Sequence, residues 1–337
     1  MNKLTKVGVS ALCGSLAAFS AANAGDMTVS GTVDMSWISL DDESVGNPLG
    51  MGSNVSFAGS GELDNGWGVK LAIDATNALA YSSANVTVSV PGLGDVLVSQ
   101  GLSGTGIDRM DDNTPTAWEE AYGAGLASGI NTVAGGSGGA GIEITPTDMM
   151  PSGIVTRLHW TPDAGGTDAG DKVNGGNESI TGMGYDLTVE ASGDATPDGL
   201  TLYGGYSQVD QAQNATAIND DITEWTAGVK YAVGSFTLGY QISEEDTGRA
   251  TTKTGYDNTG YGIVFAVNDD LSLSYNNFES QQNSTTNITT EASSFQIAYS
   301  MGGMSIRLAE QTVDNKTYCT NAANQRDATT VSVALAF

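Results

Sequence analysis

The sequence predicts an all-β fold, a transmembrane antiparallel β-barrel of about 16 strands. Three observations predict it. Apolar and polar residues alternate in short runs along most of the chain, the period-2 pattern of a strand with two unlike faces. After residue 24, no run approaches the ~20 apolar residues that a spanning helix needs. The chain has 45 glycines and is only 39% hydrophobic. This suits strands that need a greasy residue at every second position only.

The chain begins with Lys3 and Lys6, an apolar small-residue run over 7–22, and Ala22-Asn23-Ala24. Such an order is that of an export signal cleaved after Ala24, so residues 1–24 are expected to be removed and 25–337 to form one barrel domain. A short membrane anchor fits less well, because Ser10, Gly14, Ser15 and Ser20 dilute the run. Leu12 before Cys13 argues against a lipid attachment site. Cleavage leaves Cys319 alone, so no disulfide within the chain is expected.

The strands follow in order. Over 27–40, Val29, Val33, Met35 and Trp37 alternate with Thr28, Ser30, Thr32, Asp34 and Ser36. Val55, Phe57, Gly59, Gly61 and Leu63 form a second set, and Asp64-Asn65-Gly66 is a tight turn. Trp67, Val69, Leu71 and Ile73 then alternate with Lys70 and Asp74, a charged face opposite an apolar one. Lipid outside and water inside satisfy both. Comparable runs centre on Val88, Val98, Ile142, Leu158, Leu187, Leu202, Val229, Leu238, Ile263, Leu273, Ile297 and Ile306. Short turns are expected after Leu63, Val90, Val233, Val267 and Tyr299, and longer polar loops after Leu40, Ile242, Phe278 and Glu310. The last strand carries Val331, Val333, Leu335 and Phe337 on one face. Those four are expected to close the barrel against the first strand, with Phe337 at the membrane interface.

The alternation disappears over 101–139. Asp108, Asp111, Asp112, Glu119 and Glu120 face one base there, Arg109. Thr114-Pro115 before Glu119 and Glu120 resembles a helix start, with 121–126 as its continuation and the glycine-rich stretch 135–139 as a flexible return. A segment this long without regular structure is usually functional.

Charge narrows the partners. There are 39 acidic against 12 basic residues, a net charge of −27. This surface repels nucleic acid and attracts cations. The scarce bases Lys70, Arg157, Lys230 and Arg307, together with His159, fall on the polar parity of their strands. They are expected to line the pore wall opposite the acidic segment, or to pair with neighbouring lumen acids such as Glu224 or Glu310. His159 is the only histidine, and its inward parity argues against an enzyme working at a lipid-facing surface. No catalytic residue and no cofactor is expected. The acids at Asp41-Asp42-Glu43, Asp220-Asp221 and Glu244-Glu245-Asp246 lack any EF-hand spacing, so weak Ca²⁺ or Mg²⁺ binding in the loops is the most they predict. An acidic surface-layer or adhesin-type protein is the structural alternative, although it has no need of an apolar outer band.

Together, the signal peptide, the alternating strands, the one long internal segment and the terminal Phe337 resemble the Gram-negative general porins. The acidic, glycine-rich style is most similar to their alphaproteobacterial branch. The resemblance implies an integral outer-membrane protein, a homotrimer inserted by the barrel-assembly machinery among lipid and lipopolysaccharide. It also implies passive diffusion of small hydrophilic solutes and ions, with a substrate-selective porin as the variant reading. In that family the connection after the fifth strand folds into the lumen, so 101–139 is expected to be the constriction loop. Acids in a narrow pore focus a negative potential and favour cations.

Overall fold

A computed structural model describes residues 27–40, 47–77, 79–164, 181–212, 217–321 and 324–336. The export signal, the Asp41-Asp42-Glu43 cluster and Phe337 lie outside the described residues. Sixteen strands form: β1 Thr28–Leu40, β2 Leu49–Glu62, β3 Gly68–Thr76, β4 Ala80–Val90, β5 Gly94–Gln100, β6 Ala140–Thr145, β7 Ile154–Thr161 and β8 Thr181–Ala191, followed by β9 Leu200–Gln211, β10 Ile222–Val233, β11 Phe236–Asp246, β12 Gly255–Ala266, β13 Leu271–Asn283, β14 Ile288–Met301, β15 Met304–Asp314 and β16 Arg326–Ala336. Each pairs antiparallel with its chain neighbours, and β1 pairs with β16, so the sheet has no free edge. In lipid this closure is obligatory, because an unpaired strand edge has no water to hydrogen-bond.

The closing register joins Val33 to Leu335, Met35 to Val333 and Trp37 to Val331. All lie on the outer parity, as the alternation predicts. Trp37, Phe57, Leu187, Tyr206, Phe236 and Phe295 are exposed on the outside. The buried strand residues are mainly polar instead, with Ser274, Asn276, Ser294, Gln296 and Ser332 facing inward. Apolar outside and polar inside is the order that lipid requires and water forbids.

Two hairpins are as tight as expected. Gly234 and Gly302 each hold the first position of a two-residue link with φ +59°. That φ suits a type II′ hairpin turn, and a side chain would resist it. The other rim departs from expectation. No long loop follows Phe278: β13 continues to Asn283, and only residues 284–287 separate it from β14. Likewise the Glu244-Glu245-Asp246 cluster lies within β11. The physical reason is that a hydrogen-bond ladder does not need apolar side chains. The greasy alternation marks only the part of a strand that meets lipid, so a polar strand end looks like loop in the sequence.

Candidate pore constriction

The segment 101–139 follows β5, as expected, and lies along the inner wall of the barrel. Its first regular piece is a short 3-10 helix, Gly106–Met110. The helix expected from Thr114 onward does not form, and 114–126 is a run of turns and bends. Its N–H groups are taken by the wall instead of by the preceding turn. Asn113 donates to Gln241 Oε1 at 3.0 Å, Ala117 to Ser274 Oγ at 2.9 Å, and Trp118 to Gln296 Oε1 at 3.0 Å. Leu126 donates to Gln311 Oε1 at 2.6 Å.

Three glutamines, on β11, β14 and β15, act as two-way clamps. Gln241 Nε2 donates to the carbonyls of Met110 and Asp111 at 2.7 and 3.0 Å. Gln296 Nε2 donates to the Glu119 carbonyl at 2.5 Å. Gln311 Nε2 donates to the carbonyls of Ala121 and Leu126 at 2.6 and 3.2 Å. An amide offers both donors and an acceptor, so one side chain satisfies loop backbone in both senses.

Three buried wall acids hold the two ends of the loop. Glu143 on β6 accepts from the Gly106 N–H at 2.8 Å and from Arg109 Nη2 at 2.5 Å. Asp186 on β8 accepts from Ile107 and Gly136, both at 3.4 Å, and faces His159 Nδ1 at 3.2 Å. Glu224 on β10 accepts from Gly135 at 2.6 Å. A carboxyl group has several lone pairs to offer, so one wall side chain can take more than one loop N–H.

Close packing completes the seat. Ala121 and Leu126 bury against Ala292, Val313 and Ala328, and the Tyr122 and Phe278 rings meet edge-on at 4.9 Å. Pro115 lies over Gly239 and Gly262, where a Cβ would fall 2.2 Å from Pro115 Cδ and 2.4 Å from its carbonyl oxygen. Together the anchors run from β6 round to β16. None of these contacts falls on β2, β3 or β4, so the loop covers one side of the lumen.

The five acids do not share one environment. Asp108 accepts from Gly104 N–H at 2.6 Å and from Ser137 Oγ at 2.8 Å, which makes it a tie between the two limbs of the loop. Asp111, Asp112, Glu119 and Glu120 stand close enough to act on one another. Burial first, and then Asp112 and Asp108, push the Asp111 carboxyl up to about 8. Glu120 is pushed up to about 9, by burial first and then by Glu119 and Asp112. Asp112 shifts upward too, again chiefly by desolvation. The buried Tyr122 hydroxyl rises for the same reason. Crowded carboxyls in a confined space cannot all ionise at neutral pH.

The bases are distributed differently from the expected opposite wall. Lys230 on β10 donates to Asn113 Oδ1 at 3.1 Å and stands 5.6 Å from the Tyr203 ring centroid. Arg307 on β15 pairs with Asp34 at 3.0 Å and stands 5.9 Å from the Trp118 ring. Both therefore sit on the side that the loop covers. His159 is 3% exposed beneath the loop and does not line the lumen. Arg157 lies two residues away on β7, half-buried. Lys70 alone stands on the uncovered wall, exposed on β3 between Ser60 and Thr87. Of the acids expected as partners, Glu224 is a loop anchor. Glu310 takes the outer parity of Ile306 and accepts from Thr329 Oγ1 at 2.9 Å. The strand extends above its apolar part there, so an acid on the outer face meets water.

Sequence reasoning missed Gln241, Gln296, Gln311, Glu143 and Asp186. One signal was present: Glu143 stands between Ile142 and Ile144, and Asp186 between Tyr185 and Leu187. An acid with apolar neighbours on both sides, at inward parity, needs a partner inside the barrel. The glutamines carried no such mark.

A family model described as Gram-negative porin matches residues 8–337. This chain belongs to the Gram-negative porin family. The porin also resembles solved structures in fold. A mutant of the Rh. blastica porin aligns at 17% identity over 93% of this chain and 100% of that one, with a TM-score of 0.58. OmpF of Salmonella typhi, in complex with daunomycin, aligns at 11% identity over 93% and 98%, with a TM-score of 0.68. OmpT of Vibrio cholerae aligns at 10% identity over 92% and 97%, with a TM-score of 0.64. A sequence search among curated proteins returned no match. The porin is an integral outer-membrane channel for diffusion, with its polar face turned to the lumen. Among the described residues, no group of three or more His, Cys, Asp or Glu side chains converges to hold a metal ion.

Proposed function

We propose that this porin passes small hydrophilic solutes through a lumen narrowed by residues 101–139 and prefers cations. The observation that carries the reading is the loop itself, hydrogen-bonded to the inner wall from β6 to β15. It gathers Asp111, Asp112, Glu119 and Glu120 in one place. Lys70 is the base on the uncovered wall, so negative potential dominates the narrow part. Asp111 and Glu120 are raised to about 8 and about 9, so their share of that potential grows as pH rises above neutral. Selection is by size and charge, with no chemical step. His159 serves the wall through Asp186, and His159→Ala is expected to yield no change in any hydrolytic assay. The acids outside the lumen are proposed to hold Ca²⁺ or Mg²⁺ weakly and to bridge to anionic lipopolysaccharide, around a homotrimer placed by the barrel-assembly machinery.

Reversal potentials in planar bilayers under a salt gradient test the selectivity. Cation preference is expected at about 0.01 M salt and should fade towards 1 M as the screening length falls from ~30 to ~3 Å. A reversal potential of anionic sign at low salt would overturn it.

A further inference from the structure

We propose that the lumen holds a binding place for a neutral sugar ring in the cavity beside Trp118 and Arg307, on the short-turn side of the constriction. The proposal rests on the diffusion reading, and names a class of solute that the pore favours. A cavity of about 380 Å³ opens there, lined by Trp118 on the loop, Ser272 on β13, Ser300 on β14, and Ser305 and Arg307 on β15. The turn between β12 and β13 closes one side with Asp269 and Asp270. Such a volume lies at the lower end of the ~300–1,000 Å³ of small-molecule sites.

The Trp118 ring is the platform. Its backbone is pinned to Gln296 at 3.0 Å, so the indole is carried by a fixed support and not by a free loop tip. Trp118 is only half-buried. The Arg307 guanidinium is oriented by Asp34 at 3.0 Å and by Ser305 Oγ at 3.3 Å, and stands 5.9 Å from the ring. Three serine hydroxyls and a guanidinium edge thus converge beside one aromatic face. A pyranose presents a matching pair of surfaces, an apolar C–H face and a rim of hydroxyls.

Charge decides between occupants. Arg307 is already matched by Asp34, and Asp269 and Asp270 are exposed beside it. The surplus is negative, which disfavours an anion. A cation over the indole would meet Arg307 near the same ring. A neutral, polyhydroxylated solute escapes both penalties and uses the donors and acceptors on offer.

Single channels in planar bilayers test this with maltose added on the short-turn side. The expected result is a saturable reduction of ion current, with Trp118→Ala raising the half-blocking concentration at least tenfold and Trp118→Phe retaining most of the block. Glycerol, which has no ring, should give no saturable block. A current that falls in proportion to maltose without saturating, or equal half-blocking concentrations in wild type and Trp118→Ala, would overturn the site. Titration calorimetry with maltose on the detergent-folded protein reads binding without conduction. If the protein opens no channel, the diffusion reading fails, while saturable heat still supports the site and absence of heat overturns it.

Discussion

Gln296 and Glu119 exchange hydrogen bonds in both directions. Gln296 Nε2 donates to the Glu119 carbonyl at 2.5 Å, and its Oε1 accepts from the Glu119 N–H at 3.1 Å. A single wall side chain thereby does for the loop what a neighbouring strand does for a sheet. The same Oε1 takes the Trp118 N–H. Gln296→Leu keeps the volume and removes all three bonds. Each buried polar group left unmade costs about 1–3 kcal/mol. The expected variant still forms a heat-modifiable barrel, but its channel conducts more and its open current is noisier. Current traces indistinguishable from wild type would show that the loop is held elsewhere.

Gly262 is where the wall must give way to Pro115. A Cβ there would lie 2.4 Å from the Pro115 carbonyl oxygen, a separation that neither group tolerates. Gly262→Ala is expected to lift 113–118 off the wall and towards the lumen, lowering single-channel conductance and the melting temperature. Gly59, with nothing within 4 Å of its would-be Cβ, supplies the contrast. Gly59→Ala should leave conductance unchanged. Equal conductance for the two variants would contradict the proposed seat.

Asp111 and Glu120 are expected to make selectivity depend on pH. Their carboxyls are raised to about 8 and about 9, so they are neutral below those values and charged above them. Cation preference is therefore expected to strengthen between about pH 7 and pH 10, far above the ordinary carboxylate range near 4. Stability moves the opposite way. Between about pH 4 and pH 8 the folded chain holds protons that the unfolded chain has lost, so rising pH destabilises the loop's seat across that window. Reversal potentials across this range check the first effect. The pair Asp111→Asn with Glu120→Gln should flatten the curve, and a wild-type profile that is already flat would sink the assignment.

The barrel was legible because its signal is local. Val331, Val333 and Leu335 show their shared face within five residues, and the structure pairs them with Trp37, Met35 and Val33. Strand ends were less legible. Past Phe278, β13 continues through Glu279, Gln281 and Asn283, where the ladder persists and the apolar marks stop. The place of the loop was also legible, from its length and its position after β5. Its conformation was not. Thr114-Pro115 carries a helix-start pattern, yet the wall glutamines compete for the same N–H groups and prevail.

By itself the sequence determined a closed sheet, the faces turned to lipid and to water, and the long segment 101–139 where the alternation stops. Period-2 alternation settles these because lipid and water act on each residue separately. Only the tertiary structure decided which side of the lumen the loop covers, that Asp108 ties its limbs, and that Asp111 and Glu120 keep their protons at neutral pH. The bonds behind those outcomes join residues far apart in the chain, 190 positions from Gln311 to Ala121 and 177 from Gln296 to Glu119. No local pattern encodes such a meeting. It follows from closure of the barrel, which brings β6 to β16 around a loop that left the wall after β5.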